Sequence, residues 1–229
     1  RVKEVLQEHG LIANFTNQSR TGVAAIWLGV NHSGQAADNR VSTLGLDRSL
    51  FTNGRYDRHL VSLTNDGGVA RLVILGENTD ATFYGLASLE QMLDGGHTAM
   101  PCITIYDYAD IKNRGIVEGY YGYPYSVSVK KDLMRFMMRY KMNTYLYGAK
   151  SDPYHSEKWM DAYPTSVTAQ QETNGWLSQA MLREVTAESH ATKVNFIWAI
   201  HPGNKFLDSN TVINDIMGKF AKMYDLGVR

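Results

Sequence analysis

The chain has 229 residues, of which 44% are hydrophobic and 20% are charged, and these proportions are ordinary for a globular protein of one or two domains. Lysine plus arginine and aspartate plus glutamate number 23 each, so the zero net charge gives no electrostatic footprint for nucleic acid or an anionic membrane. No apolar run reaches the length of a membrane span, and a single cysteine excludes an internal disulfide and a cysteine-based zinc cluster. The composition leaves the cellular compartment open.

Residues 1–110 mix helical and strand patterns and are predicted to form an α+β N-terminal domain. A short amphipathic helix is predicted at the start of the chain, and Asn78-Thr79-Asp80 is the start signal of a longer helix that ends at Gly95. Cys102 opens the last of four predicted strands, so we expect it to be a small buried residue. These strands are predicted at residues 24–30, 59–65, 70–76 and 102–108.

Strand and helix patterns alternate regularly over residues 111–229, which is typical of parallel strands joined by crossover helices. This region is therefore predicted to form the first three β/α units of a TIM (β/α)8 barrel. Because a complete barrel needs eight units and about 250 residues, we expect the chain to be the N-terminal part of a larger protein. The predicted strands are residues 115–119, 143–149 and 195–200, and the predicted helices are residues 129–141, 175–190 and 212–227.

Each of these three strands is followed by a loop that is rich in tyrosine, glycine and polar residues. In parallel α/β folds the functional groups lie in the loops after the carboxyl ends of the strands. Each loop alone is explained by turn formation and packing, but three at one edge favour a ligand site. Tyrosine offers a flat apolar face and a hydroxyl, which suit a sugar ring, and glycine lets a ligand approach the backbone. The loops are residues 119–125, 147–155 and 200–205.

No motif in the sequence indicates a metal or a cofactor. His155 and His201 lie on different loops without His-Glu-x-x-His spacing, and neither a phosphate loop nor Gly-x-Gly-x-x-Gly occurs. Glu118, at the end of the first of the three strands, has two interpretations. It is either an acid that points into the site with a raised pKa, or a structural carboxylate paired with an arginine or lysine such as Arg114. We favour the structural interpretation.

Four motifs between Arg114 and Arg229 carry a resemblance to a known family. They are RGIVEGYYGYPYS, RYKMNTYLYGAKSDPYHSEKW, VNFIWAIHPG and KMYDLGVR. In order and spacing they resemble glycoside hydrolase family eighty-four, the O-GlcNAcases and bacterial β-N-acetylglucosaminidases. The preceding residues, with GENTDATFYGLASLEQML, are similar to the small α+β domain that precedes the barrel in this family.

The resemblance implies a substrate site without a cofactor or metal. The family pattern places the backbone of Gly119 against a sugar hydroxyl, Tyr121 on the pocket wall and Lys150 in a hydrogen bond with N-acetylglucosamine. The three N–H donors of a lysine suit hydroxyl acceptors. The implied partner is a glycan or glycoprotein that bears N-acetylglucosamine. Residues expected at the rim of the pocket are Asp152, Tyr154 and His201.

The implied reaction is retaining and substrate-assisted, with the acetamido oxygen of the sugar as the nucleophile. In the family, two adjacent aspartates a few residues beyond the motif LGVR orient the acetamido group and act as acid and base. That motif ends at Arg229, so no catalytic residue is expected in this chain. We therefore expect the chain to be inactive alone and to require the C-terminal remainder of the same protein.

Two departures from the family pattern leave alternatives open. Gly122-Tyr123-Pro124-Tyr125 occurs where the family commonly has Gly-Thr-Pro-Trp, and Ser151 occurs where it has an aspartate. A non-catalytic carbohydrate-binding paralogue is the main alternative to an exo-β-N-acetylglucosaminidase. A freestanding structural module is the third and least favoured, because an unfinished barrel exposes a strand edge.

Overall fold

The computed structural model describes residues 1–16, 18, 20–95, 100–119, 122–203 and 210–228. The chain divides into two compact units, Arg1–Lys112 and Asn113–Arg229, and each has its own sheet and core. Together they give a mixed α/β fold. Among the described residues, no helix combines the length and apolar character that crossing a membrane requires.

The first unit is a four-stranded mixed sheet with helices on both faces. Its strand order is β1-β3-β2-β4; β1 runs parallel to β3, and the other neighbouring pairs are antiparallel. The strands are β1 (Ala25–Val30), β2 (Tyr56–Asp66), β3 (Val69–Gly76) and β4 (Ile103–Ala109). The helices are α1 (Val2–Glu8), α2 (Ala36–Thr43) and α3 (Thr79–Asp94), with a 3-10 turn at Ser49–Thr52.

Alternating side chains of the central strands supply the two cores of this sheet. Ile74 packs with α1 and α3 on one face, whereas Val73 and Leu75 pack with α2 and the 3-10 turn on the other. The predicted strands are confirmed to within three residues at either end. The start of α3 is also confirmed, because the side chain of Asn78 accepts a hydrogen bond from the backbone N–H of Ala81.

Two features of the first unit differ from the sequence predictions. Cys102 is exposed and precedes β4, which begins at Ile103, so the prediction of a buried strand residue is wrong. Helix α2 was not predicted, because its sequence AADNRVST has few apolar side chains and its buried face contains only Ala37, Asp38 and Val41.

The second unit contains a parallel sheet in the order β5-β6-β7, and helices follow its strands. Gly115 pairs with Thr144 at such close range that a methyl group on Gly115 would lie 1.6 Å from the Thr144 carbonyl oxygen, so only glycine fits there. The strands are β5 (Gly115–Glu118), β6 (Thr144–Tyr147) and β7 (Asn195–Trp198). The helices are α4 (Val127–Arg139), α5 (Ala169–Thr173), α6 (Gln179–Thr192) and α7 (Asn210–Asp225).

Helix α6 begins later than predicted. The sequence prediction started it at Gly175, but that residue has φ +87° and lies in the turn before the helix. The helix instead begins after Ser178, whose hydroxyl accepts a hydrogen bond from the N–H of Met181. The short helix α5 was not predicted.

Aromatic side chains dominate the core of the second unit. Tyr145 and Tyr147 of β6 are fully buried, and both rings lie near Phe196 of β7, with centroid separations of 5.9 and 5.6 Å. Met134 and Met137 of α4 close this core from the helix side. The tyrosine hydroxyls within it require polar partners, and these partners lie at the carboxyl ends of the strands.

Candidate functional site

The three strands of the second unit end at one edge of the sheet, because they are parallel and paired in register. Glu118 pairs with Tyr147, which in turn pairs with Trp198. The loops that follow are in direct contact: the hydroxyl of Ser151 donates to the carbonyl oxygen of Gly122 at 3.3 Å. The amide of Ala199 donates to Tyr147 O at 2.8 Å. The edge is therefore a connected surface built from three separate parts of the chain.

The described residues that were predicted to bind sugar lie at this edge. Gly119 and Lys150 are exposed, and a methyl group built on Gly119 meets no described atom within 4 Å. His201 is also exposed, and its amide donates to His155 O at 2.7 Å. Tyr121 lies outside the described residues.

Glu118 is the centre of a buried polar cluster below this edge. Its side chain is almost completely buried, and its Oε1 atom accepts hydrogen bonds from the amide of Tyr125 at 2.9 Å and from Nζ of Lys130 at 3.1 Å. The Oε2 atom accepts a 2.7 Å hydrogen bond from the hydroxyl of Tyr145. Lys130 also donates to the carbonyl oxygen of Tyr125. We call Glu118, Lys130 and Tyr145 the Glu118 cluster.

This geometry confirms that Glu118 is a paired structural carboxylate. Its partner is Lys130, whereas the guanidinium of Arg114 donates to Lys141 O at 2.7 and 3.0 Å. Burial lowers the pKa of Lys130, and the charge and hydrogen bond of Glu118 oppose that shift. Burial beside the same carboxylate raises the pKa of Tyr145. The tyrosine is therefore a permanent hydrogen-bond donor at neutral pH.

A second buried cluster is centred on Asp152. Its Oδ2 atom accepts hydrogen bonds from the hydroxyls of Tyr147 at 2.9 Å and Tyr163 at 2.6 Å, and its Oδ1 atom accepts from the amide of Tyr154 at 2.9 Å. The hydroxyl of Tyr163 in turn accepts from Nε1 of Trp198 at 3.0 Å. Burial raises the pKa of Asp152, and these hydrogen bonds act in the opposite direction.

The structure therefore differs from the rim position expected for Asp152 and Tyr154. Both side chains are buried, because the Asp152 carboxylate obtains its partners from core tyrosines and the Tyr154 ring packs against Tyr163 with centroids 4.9 Å apart. Of the three expected rim residues, His201 is the exposed one.

Lys219 of α7 is a buried cation that the sequence analysis did not single out. It is 1% exposed, donates to Asp161 O at 2.6 Å, and lies 4.8 Å from the ring centroid of Tyr163 and 5.3 Å from that of Trp198. Burial lowers its pKa to about 8. The sequence feature that could have indicated its burial is its spacing. Lys219 lies four residues before the buried Met223 and therefore on the same helix face.

The apolar face of α7 is only partly buried. Met223 is buried, but several other members of that face are exposed in the described structure. The exposed members are Ile213, Met217, Phe220 and Tyr224.

No group of three histidine, cysteine, aspartate or glutamate side chains suited to a metal ion occurs among the residues that the structure describes. His155 is buried, and its Nε2–H donates to Ala149 O at 2.5 Å. Burial lowers the pKa of His155 and favours the neutral ring. This hydrogen bond therefore stabilises the turn that carries Lys150.

Comparisons with known proteins identify the family. Residues 114–229 match a family model described as beta-N-acetylglucosaminidase. The chain is 31% identical over 116 residues to the Protein O-GlcNAcase of Rattus norvegicus and to that of Mus musculus, a match that covers 50% of this chain and 12% of each relative.

Two solved structures extend the similarity to the first unit. The structure of CpGH84D is 33% identical with a TM-score of 0.84, and that of CpGH84B is 26% identical with a TM-score of 0.69. Each match covers 99% of this chain, but only 36% and 37% of the respective solved chains. The family model covers half of the chain, and the chain belongs to the β-N-acetylglucosaminidase family, glycoside hydrolase family eighty-four.

Proposed function

We propose that these residues belong to an exo-acting, retaining β-N-acetylglucosaminidase. In this proposal Arg1–Lys112 is an α+β N-terminal domain, and Asn113–Arg229 contributes the first three β/α units of a (β/α)8 barrel. The observation that carries it is the edge at which β5, β6 and β7 end, where Gly119 and Lys150 are both exposed and the loops that bear them are joined by a hydrogen bond. Membership of the family supports the same assignment.

Gly119, Tyr121 and Lys150 are proposed to bind the terminal N-acetylglucosamine. The open space beside Gly119 lets a sugar hydroxyl approach the backbone directly. Lys150 supplies N–H donors for the hydroxyl oxygens of the sugar. A glycan or glycoprotein with a terminal N-acetylglucosamine is the proposed substrate, and His201 is the proposed contact at the rim.

Two buried carboxylates near the edge do not suit the role of general acid. Glu118 accepts three hydrogen bonds and pairs with Lys130, and Asp152 accepts three hydrogen bonds from within the second unit. A group that transfers a proton to the glycosidic oxygen must lie within hydrogen-bond reach of it, and these carboxylates are directed into the core. Because this chain covers only 36% and 37% of the two related solved chains, we propose that the acid, the base and the group that orients the acetamido group lie beyond Arg229.

The proposed nucleophile is the acetamido oxygen of the substrate itself. It attacks the anomeric carbon as the bond from that carbon to the glycosidic oxygen breaks, and the departing oxygen receives a proton. The product is an oxazolinium ion, which becomes an oxazoline when it gives up its N–H proton, and water then opens the ring at the anomeric carbon with net retention. Because the nucleophile is held within the substrate, its effective molarity can reach roughly 10⁵ M or more when the geometry is correct. The role of the residues described here is to hold the sugar in that geometry.

The test is hydrolysis of an aryl N-acetyl-β-D-glucosaminide by the complete gene product and by its Lys150→Ala variant. Loss of a hydrogen bond from a charged donor removes about 1.5–3 kcal/mol, so kcat/KM is expected to fall between about 10-fold and 160-fold. Lys158→Ala is the matched control, because this exposed lysine lies 5.0 Å from the Trp176 ring centroid and has no assigned contact with sugar. Equal kcat/KM for the Lys150→Ala variant and the wild type would reject the assigned role of Lys150.

A carbohydrate-binding paralogue without turnover is the second candidate. Ser151 in place of an acidic residue favours it, because the hydroxyl of Ser151 is used in a bond to Gly122 O and the position carries no charge beside Lys150. Binding of N-acetylglucosamine by a complete, folded protein that shows no hydrolysis would support this candidate.

A further inference from the structure

The loop that joins β5 to α4 is held by three separate contacts. In its described part, Gly119 and residues 122–126, the carbonyl oxygen of Gly122 accepts a hydrogen bond from Ser151 and the ring of Pro124 packs directly against Gly175. The third contact is made by Tyr125, whose amide and carbonyl groups are both bonded to the Glu118 cluster. This loop begins with Gly119, so its conformation determines the backbone at the proposed sugar site.

The rings of two tyrosines in the described part of the loop contribute little to holding it. Tyr123 is 82% exposed and Tyr125 is 47% exposed, so neither ring buries enough apolar surface to define the conformation. Among the described residues, the contacts left to define it are the Pro124 ring against Gly175 and the backbone hydrogen bonds of Gly122 and Tyr125. Those to Tyr125 come from two charged groups, Glu118 at 4% exposure and Lys130 at 0%.

A buried ion pair of this kind is a weak source of stability, because desolvation of the two charges offsets most of their attraction. A cluster whose members all have hydrogen-bond partners instead makes one geometry rigid. In the Glu118 cluster each oxygen of the carboxylate has a donor, and the lysine bonds to the carboxylate and to Tyr125 O. This arrangement is better suited to holding a loop in one conformation than to stabilising the core.

We propose that Glu118 and Lys130 are positioning residues for substrate. Their hydrogen bonds to the amide and carbonyl groups of Tyr125 hold the β5–α4 loop, and with it Gly119, in the geometry that receives the sugar. The inference rests on the proposed function. Neither residue touches the substrate, and both act through the backbone of the loop.

The test separates positioning from simple stabilisation by comparing two variants of the complete gene product. Lys130→Met removes one partner and leaves the Glu118 charge buried, so the midpoint of thermal unfolding is expected to fall. A triple variant, Glu118→Met with Lys130→Met and Tyr145→Phe, removes both charges and the hydroxyl together. Because no buried polar side chain of the cluster is then left unpaired, its midpoint is expected to recover much of that loss.

The affinity for the sugar is expected to fall in both variants, whereas much of the thermal stability is expected to return in the triple variant. The dissociation constant of N-acetylglucosamine and the KM for the aryl glycoside should each rise about tenfold in both variants. Lys130→Met releases the carbonyl group of Tyr125, and the triple variant releases both its carbonyl and its amide. Assays are made well below each unfolding midpoint. If affinity in the triple variant returns to the wild-type value along with stability, or if neither variant changes affinity, the positioning role is wrong.

Lys131→Met provides the matched control. Lys131 is the next residue on the same helix, and its ammonium group forms a 2.6 Å ion pair with Glu184 of α6 rather than with the Glu118 cluster. Its loss should leave the dissociation constant and KM unchanged.

Measurements on the wild-type protein distinguish failure of the proposed function from failure of the positioning role. If the wild type neither binds N-acetylglucosamine nor hydrolyses the glycoside, the proposed function fails and the positioning role fails with it. If the wild type binds and hydrolyses but both variants equal it, only the positioning role fails.

Discussion

The hydroxyl of Tyr163 donates a 2.6 Å hydrogen bond to Oδ2 of Asp152, and both residues are buried in the second unit. Tyr163 also accepts a hydrogen bond from Trp198 Nε1. The contact therefore links the loop after β6 with the end of β7. Together with the Glu118 cluster, it forms a layer of hydrogen-bonded polar groups at the carboxyl ends of β5, β6 and β7.

Removing the Tyr163 hydroxyl is predicted to destabilise this layer. Tyr163→Phe takes one donor from a buried carboxylate and the acceptor from Trp198, so the free energy of unfolding should fall by about 2 kcal/mol. Urea unfolding measures the change. Tyr224→Phe, at an exposed position on α7, is the control and should change it by less than about 0.5 kcal/mol. Equal stability of the Tyr163→Phe variant and the wild type would show that the hydrogen bond to Asp152 contributes nothing.

Lys219 is predicted to make stability rise with pH above about pH 8. Its pKa is about 8 in the folded state against 10.5 in the unfolded state, so between these values the unfolded chain binds more protons. The unfavourable burial of the charge is fully present below pH 8 and disappears as the folded state loses its proton. From pH 7.5 to 9.5 this residue should add about 2 kcal/mol to the free energy of unfolding.

Lys219→Met should remove that contribution and leave the other titrating groups in place. Urea unfolding at several pH values between 7.5 and 9.5 gives the slope for each protein. The difference between the two slopes, rather than either slope alone, is the predicted quantity. Parallel pH profiles for the wild type and the Lys219→Met variant would contradict a lowered pKa for this lysine.

Substitution of Gly175 is predicted to disturb the β5–α4 loop at Pro124. Gly175 has φ +87°, and a methyl group on it would lie 2.1 Å from Cγ of Pro124. Gly175→Ala should therefore lower the free energy of unfolding by about 1–3 kcal/mol, through backbone strain and overpacking.

Gly218→Ala is a control with the opposite expected sign. Gly218 lies within α7, and a methyl group there meets no described atom within 4 Å, so alanine should stabilise the helix by about 0.5–1 kcal/mol. Thermal unfolding of the two variants compares them directly. A Gly175→Ala variant that is as stable as the Gly218→Ala variant would show that Pro124 and its loop move aside freely.

The elements that could be predicted from sequence are those encoded by local pattern. Alternation and β-branched residues located the strands, and the cap residue Asn78 located the start of α3. The alternation of strands with helices also indicated which loops share an edge. These features depend on residues close together in the chain, so one sequence is sufficient to find them.

The buried polar clusters could not be predicted, because their partners are brought together only by the tertiary fold. Asp152 follows a strand in a loop rich in polar residues, and such a position resembles an exposed rim until Tyr147 and Tyr163 are seen to surround it. Glu118 was expected to have a basic partner, but nothing local distinguishes Lys130, twelve residues away, from Arg114. Lys219 was overlooked because a lysine beside apolar residues on a helix is ordinarily exposed.

The most direct test of the central claim is hydrolysis of an aryl N-acetyl-β-D-glucosaminide by two proteins, the complete gene product and residues 1–229 alone, each verified as folded by circular dichroism. We predict release of the aryl alcohol by the complete protein and none by residues 1–229. No hydrolysis by the folded complete protein would contradict the assignment as a β-N-acetylglucosaminidase. Hydrolysis by residues 1–229 would contradict the assignment of the acid and base to residues beyond Arg229.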